Sequence, residues 1–201
     1  TALFSAGCGA DQNPLPRRKL ELAEQYGAEL GSAVEAIVNA AMTPVEGTID
    51  AKYKVIGLPL SKAPTEAELD KQLTDSNVYV VRRAQKLKAE LQAKGEISET
   101  MPFPVQVWKI GDAVQVTVFG GETCVDYSLL VKHEYPREKQ FVMSYSNDCL
   151  AYIPSLRVLK EGGYEGEGAM LYYGIHGPFL PQVQDEIMNT VHELAGPPTG
   201  Q

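Results

Sequence analysis

Apolar residues recur at steps of three and four from Ala23 through Tyr26, Leu30, Val34, Ile37 and Ala41, which is the spacing of one face of a helix. The pattern predicts a long helix entered near Pro16 and stopped before Pro44, with that face in the core. The period then changes to two. Ile49, Ala51, Tyr53 and Val55 alternate with Thr48, Asp50, Lys52 and Lys54, as in a strand with its charged side in water, ending at Gly57-Leu58-Pro59. Thr65-Glu66-Ala67-Glu68 has the form of a capping box, and after Ser76 a second helical run places Val81, Ala84, Leu87 and Leu91 on one face up to Gly95. Its charged residues between Arg82 and Lys94 read as a solvated face.

Val105 to Ile110 and Ala113 to Phe119 read as two strands joined around Gly111-Asp112, the signal of a hairpin, and Gly120-Gly121 closes the second. A short helical pattern follows through Leu129 and Leu130, and Lys139 to Tyr145 reads as a further strand. Val183, Ile187, Val191 and Leu194 predict a last helix over 182–194, before Gly196-Pro197-Pro198. With no internal repeat, low-complexity tract or long linker, the order of elements predicts an α/β domain, with mixed α+β as the alternative, built as a layered sheet with flanking helices. Residues 1–201 then form a single domain or the C-terminal part of a larger catalytic domain.

Composition narrows the classes of partner. A formal charge of -8 argues against a nucleic-acid partner, whose phosphates need clustered Lys and Arg, and the only basic groupings are Arg17-Arg18-Lys19 and Arg82-Arg83. No stretch reaches the roughly 18 apolar residues of a membrane span. The opening Thr1-Ala2-Leu3-Phe4-Ser5-Ala6-Gly7 lacks the charged start of a signal peptide, so the chain reads as cut from something longer. Cys8, Cys124 and Cys149 lack metal-ligand spacing and read as small buried core residues.

Glu122 follows a Val/Phe-rich strand and a Gly-Gly turn, which would project it from the strand's carboxyl end, where α/β architectures assemble ligand sites. Alternatively it caps the following helix, since a carboxylate is favourable at the positive end of the helix dipole. Tyr152 and Tyr164 are two of ten tyrosines, a residue type that more often lines a core or rim than binds a ligand. Gly162, Gly163, Gly166 and Gly168 around Tyr164 would let backbone approach a ligand, or would form a flexible surface loop. His192 lacks the second histidine of a zincin motif and His133 precedes a turn, while His176 sits in a site-like loop between Gly174 and Gly177-Pro178. No nucleophile elbow, P-loop or dinucleotide fingerprint is present.

One set of blocks goes further. Gly7-Cys8-Gly9-Ala10-Asp11-Gln12-Asn13-Pro14, then Gly121-Glu122-Thr123, Ser146-Asn147 with Tyr152, Tyr164-Glu165-Gly166 and Tyr173-Gly174 together resemble the catalytic domain of neutral/alkaline (non-lysosomal) ceramidases. The resemblance runs in order over most of the chain and is close only in those blocks. That family holds a zinc ion with two histidines, a glutamate and a tyrosine, and keeps a second tyrosine twelve residues later at its site. The resemblance implies Glu122 and Tyr152 as metal ligands and Tyr164, twelve positions after Tyr152, as the catalytic phenol. Gln12, Asn13 and His176 would then meet the substrate. Asn13 stands where the family carries a serine, and Thr123-Cys124-Val125 replaces the family's usual run after the glutamate.

The implied activity is a zinc-dependent hydrolase of ceramidase-like type, in which a metal-activated water cleaves an N-acyl amide of a small-molecule or lipid substrate in sphingolipid metabolism. The family's two histidines fall upstream of the matched region, so the resemblance implies an upstream segment or separate chain that supplies them. It also implies a secreted protein, extracellular or periplasmic. Two alternatives stand beside it: the same scaffold acting on a non-lipid amide or ester, and a non-catalytic binding module that has lost the metal.

Overall fold

In the computed structural model, which describes residues 3–199, a mixed four-stranded sheet with helices packed against it forms an α/β fold. The elements run α1 (Leu20–Val38), β1 (Ile49–Pro59), α2 (Glu66–Gln72), α3 (Val78–Lys94), β2 (Thr100–Ile110), β3 (Val114–Phe119), β4 (Glu122–Thr123) and α4 (Val125–Glu134). They continue with β5 (Gln140–Met143), β6 (Tyr152–Ile153), α5 (Leu156–Glu161), a π-helical turn over Tyr164–Gly168, α6 (Met170–Tyr173) and α7 (Val183–Ala195). In the main sheet the order is β1-β2-β3-β5, antiparallel except for the parallel β3–β5 pair, and β4 and β6 form a separate two-stranded parallel ribbon.

The hairpin at Gly111 and the capping box behave as the sequence predicts. Thr65 accepts from the Glu68 amide while the Glu68 carboxylate accepts from the Thr65 amide at 2.7 Å. Helix α3 starts one residue later than Ser76 suggests, because Asn77 is its cap, accepting from the Tyr79 amide at 2.9 Å. On α7 the four residues Val183, Ile187, Val191 and Leu194 are all buried, against β1 and β2.

The apolar side of β1 faces out rather than in. Tyr53 and Val55 are 59% and 50% exposed, while Lys54 lies on the side that carries α7 and pairs with Glu193 there. Ile56 and Leu58 decide this. They share parity with Lys52 and Lys54, and opposite them on β2 stand Phe103 and Met101, both buried. A sheet strand has one register, so the larger apolar half sets the inner face and the shorter Ile49–Val55 pattern is carried to the outside. Lys54 carries its charged end to Glu193 on α7, whereas Lys52 is exposed. Ala51, Trp108, Val116 and Phe141 fall in register across the outer face, with Trp108 43% and Phe141 57% exposed.

Helix α1 departs further from expectation. None of its residues is buried, so the face of Ala23, Tyr26, Leu30, Val34, Ile37 and Ala41 is not core, and the helix ends at Val38, before Ala41. Its periodicity is real, but periodicity reports only that a face is apolar, not that another element reaches it. On α3, Arg83 is partly buried, so the charged residues after Arg82 are not uniformly solvated. Among the described residues no helix is long and apolar enough to cross a membrane.

The cysteines split two to one. Cys8 and Cys124 are buried as expected, whereas Cys149 is exposed, in the segment between β5 and β6. Burial pushes both the Cys8 and Cys124 thiols up to about 12. Because the thiolate is the reactive form, a chromogenic disulfide reagent at pH 8 should titrate one thiol per native chain, and all three only after denaturation. A second thiol reacting at the rate of the first would contradict this burial.

Candidate functional site: a carboxylate among tyrosines

Strand β3 ends at Phe119, and the chain turns through Gly120 and Gly121 before entering β4 at Glu122. Gly121 has φ +65°, and a Cβ there would lie 2.6 Å from Ile153 Cγ1 and 3.0 Å from the Ala151 carbonyl, so both conformation and space require glycine. The turn is pinned on two sides: the Gly121 amide donates to the Asp148 carbonyl at 2.7 Å, and the Tyr145 amide donates to the Gly121 carbonyl at 3.0 Å.

β4 and β6 pair with Glu122 directly opposite Tyr152, and parallel partners in register present their side chains to the same face. Two strands far apart in sequence thereby set a carboxylate beside a phenol. Tyr164 joins them: its ring centroid is 5.4 Å from that of Tyr152, edge to face at 72°. The segment carrying it is a π-helical turn rather than a loose loop, closed by the Ala169 amide donating to the Tyr164 carbonyl at 2.8 Å. Gly166 lets that turn lie on α5, since a Cβ would come within 3.0 Å of the Val158 carbonyl.

Two further tyrosines complete the group. Tyr173 donates to Glu122 Oε1 and its ring centroid is 6.3 Å from that of Tyr152. Tyr145 stands at φ +57°, a costly conformation for a bulky residue, and Asn147 at φ +68°. The loop is held there by the Ser144 amide donating to the Ala6 carbonyl at 3.0 Å and the Ser146 amide to the Phe119 carbonyl at 3.2 Å. Burial, reinforced by the Glu122 charge, pushes the Tyr145 phenol up to about 12. Burial and hydrogen bonding to Glu122 raise Tyr152 and Tyr173 as well. All three phenols are therefore protonated at neutral pH, and Tyr173 is the one that donates to the carboxylate among the described hydrogen bonds.

The sequence assigns roles to Glu122, Tyr152 and Tyr164 but none to Tyr145, nor to Tyr173, although Tyr173-Gly174 is one of the matched blocks. A signal for them existed: five of the ten tyrosines lie within residues 145–173, a density that a core does not require. Glu122 does not cap α4. Asp11 does, its Oδ1 accepting from the Val125 amide at 2.8 Å while Oδ2 accepts from Arg157 at 3.2 Å. Arg157 also donates to Asp126 at 3.0 Å, so the Asp11 block ties the amino-terminal strip to α4 and α5.

That strip reaches the site through Gly9, where a Cβ would lie 3.9 Å from the Tyr145 hydroxyl. Gln12 and Asn13, immediately beyond, are exposed, and the Gln12 side chain donates to the Asp11 carbonyl at 3.1 Å while its backbone amide donates to the Gly9 carbonyl at 3.0 Å. His176 is buried elsewhere, its Nε2 3.1 Å from the Ser61 carbonyl, and no contact joins it to Glu122. His192 meets Glu134 at 2.6 Å, bridging α7 to α4. His133 lies in the last turn of α4.

As a metal site the group is partial. Glu122 and Tyr152 offer two oxygen donors on one face, and among the described residues no cluster of three or more His, Cys, Asp or Glu side chains is placed to hold an ion. The donors fit a zinc ion that draws its remaining ligands from outside them. No protein-family model matches the chain, and no curated protein or solved structure does either.

Proposed function

We propose that this chain supplies part of the centre of a zinc-dependent amide hydrolase of ceramidase-like type, with Glu122 and Tyr152 as metal ligands. The observation that carries this reading is the in-register pair Glu122–Tyr152 with Tyr164 against it, three residues that span 122–164 in sequence and meet on one surface. When bound, zinc would supply an activated water and polarise the scissile carbonyl. Tyr164, 48% exposed, is free to donate to the oxygen of an amide as negative charge develops on it. Tyr173 holds the Glu122 carboxylate in place by hydrogen bonding to its Oε1.

The missing ligands would come from an upstream segment or a separate chain carrying histidines. The uncovered outer face of the sheet, with Tyr53, Val55, Trp108 and Phe141 exposed, supports a further layer on that side. A second reading has its own support: the Glu122 carboxylate is already engaged by Tyr173, as a binding module without metal would keep it.

Zinc content separates the two. The 201 residues alone should bind zinc weakly, since two donors rarely hold the ion, whereas the protein completed by its histidine-bearing segment should hold one zinc per chain. In that completed protein Glu122→Gln should weaken zinc binding at least about 100-fold. Tight one-to-one binding by the 201 residues alone would contradict the two-donor account, and a zinc-free completed protein would leave the binding-module reading standing.

A further inference from the structure

Away from the tyrosine cluster, a cleft of about 410 Å³ opens where the loop after β1 meets α2, α3 and the segment before Phe179. Lys62, Thr65, Glu68, Gln72, Arg83 and His176 supply its polar lining, with the buried Leu87 among its walls. Its volume falls in the range of small-molecule sites, about 300–1,000 Å³.

Two polar atoms there are out of balance. The Arg83 Nε–H and the Gln72 Oε1 are both buried without a hydrogen-bond partner among the described residues. Buried polar groups are nearly always paired, and each one left unpaired calls for an explanation. Arg83 also forms no ion pair with a described carboxylate. Desolvation alone acts on its charge, disfavouring it, as for a cation without its counter-ion.

The one carboxylate in the lining does not supply it. Glu68 turns its Oε2 to the Thr65 amide at 2.7 Å and the Thr65 hydroxyl at 2.8 Å, and no ion pair joins it to Arg83. Lys62, exposed at the rim, adds a second positive charge.

We propose that this cleft binds a small carboxylic acid bearing a hydroxyl or amine next to the carboxylate. The planar guanidinium fork of Arg83 matches a carboxylate, and Lys62 adds its charge at the mouth. Gln72 Oε1 then takes the hydrogen of the neighbouring hydroxyl or amine, so one ligand satisfies both orphaned atoms. Phosphate, whose P–OH could also donate to the Gln72 oxygen, is the competing anion that the test separates. His176 keeps its Nε2–H on the Ser61 carbonyl, 3.1 Å away, and serves as a wall. This site stands independently of the Glu122 centre and of any metal there.

Calorimetric titration of the 201-residue chain with glycolate, acetate and inorganic phosphate at pH 7 tests the assignment. Glycolate should bind saturably, about fivefold tighter than acetate, the value of one added hydrogen bond. Arg83→Gln should weaken glycolate at least about tenfold, and Lys62→Gln, a rim change that leaves folding intact, a few-fold, with a shallower salt dependence. Arg82→Gln, at an exposed guanidinium 5.8 Å from the Tyr79 ring centroid, should leave binding unchanged. The proposal is overturned by absence of saturable glycolate binding, by phosphate binding in preference to it, by equal affinity for acetate, or by an equal loss in Arg82→Gln. If Arg83→Gln does not fold, undiminished binding by Lys62→Gln overturns it in the same way.

Discussion

Replacing Gly121 by alanine is expected to destabilise the chain by about 2–4 kcal/mol, because it combines a strained left-handed conformation with overpacking. The added Cβ would lie 2.6 Å from Ile153 Cγ1 and 3.0 Å from the Ala151 carbonyl, inside the ribbon that pairs Glu122 with Tyr152. Ile153 is fully buried in the main core, so it has no room to retreat without moving its neighbours. Relief would come by parting β4 from β6, and the Tyr152 and Glu122 side chains would separate with them. Chemical denaturation should therefore show a lower midpoint, and the tyrosine fluorescence of the folded chain should shift with it. A second substitution, Gly95→Ala, where φ is +79° but no atom lies within 4 Å, isolates the conformational part and should cost about 1 kcal/mol. Equal effects at the two positions would show that crowding at Ile153 contributes nothing.

Tyr164→Phe is expected to slow turnover by the completed protein about 10²- to 10³-fold, the usual cost of losing one donor to a developing oxyanion. Metal content should not change, because Tyr164 touches Tyr152 ring to ring at 5.4 Å between centroids rather than through its hydroxyl. The ring contact survives in phenylalanine, so folding should be preserved as well. Tyr173→Phe makes the comparison informative: it removes a hydrogen bond to Glu122 itself and should loosen the metal before it affects the chemical step. A Tyr164→Phe protein that turns over at the parent rate would remove the phenol from the mechanism and leave it as part of the aromatic wall with Tyr172, whose ring centroid is 6.1 Å away.

Local chemistry is what the chain's order of residues determined by itself. The capping box at Thr65, the hairpin about Gly111 and the apolar stripe of α7 are each legible in a short stretch of sequence, and all three stand as the sequence predicts. So does the α/β class of the fold. Glu122, Tyr152 and Tyr164 were identifiable from spacing and resemblance, and they meet. Whether they hold a metal is a separate matter, and it rests on groups outside them.

Tertiary structure alone decided which apolar faces are inside. In β1 two alternating patterns of opposite parity share one strand, and only pairing with Met101 and Phe103 on β2 selects Ile56 and Leu58 for the core and puts Tyr53 and Val55 outside. Helix α1 carries a correct helical period yet buries nothing, because amphipathicity fixes what a face can do and not what packs on it. Tyr173 reaches Glu122 from a one-turn helix and Tyr145 stands on a strained loop, neither of which has a periodic signature. The paired orphans Arg83 and Gln72 belong to different helices, and their lack of partners follows from burial after packing. Periodicity is a property of a segment, whereas burial and convergence are properties of the assembled chain, so only the fold could supply them.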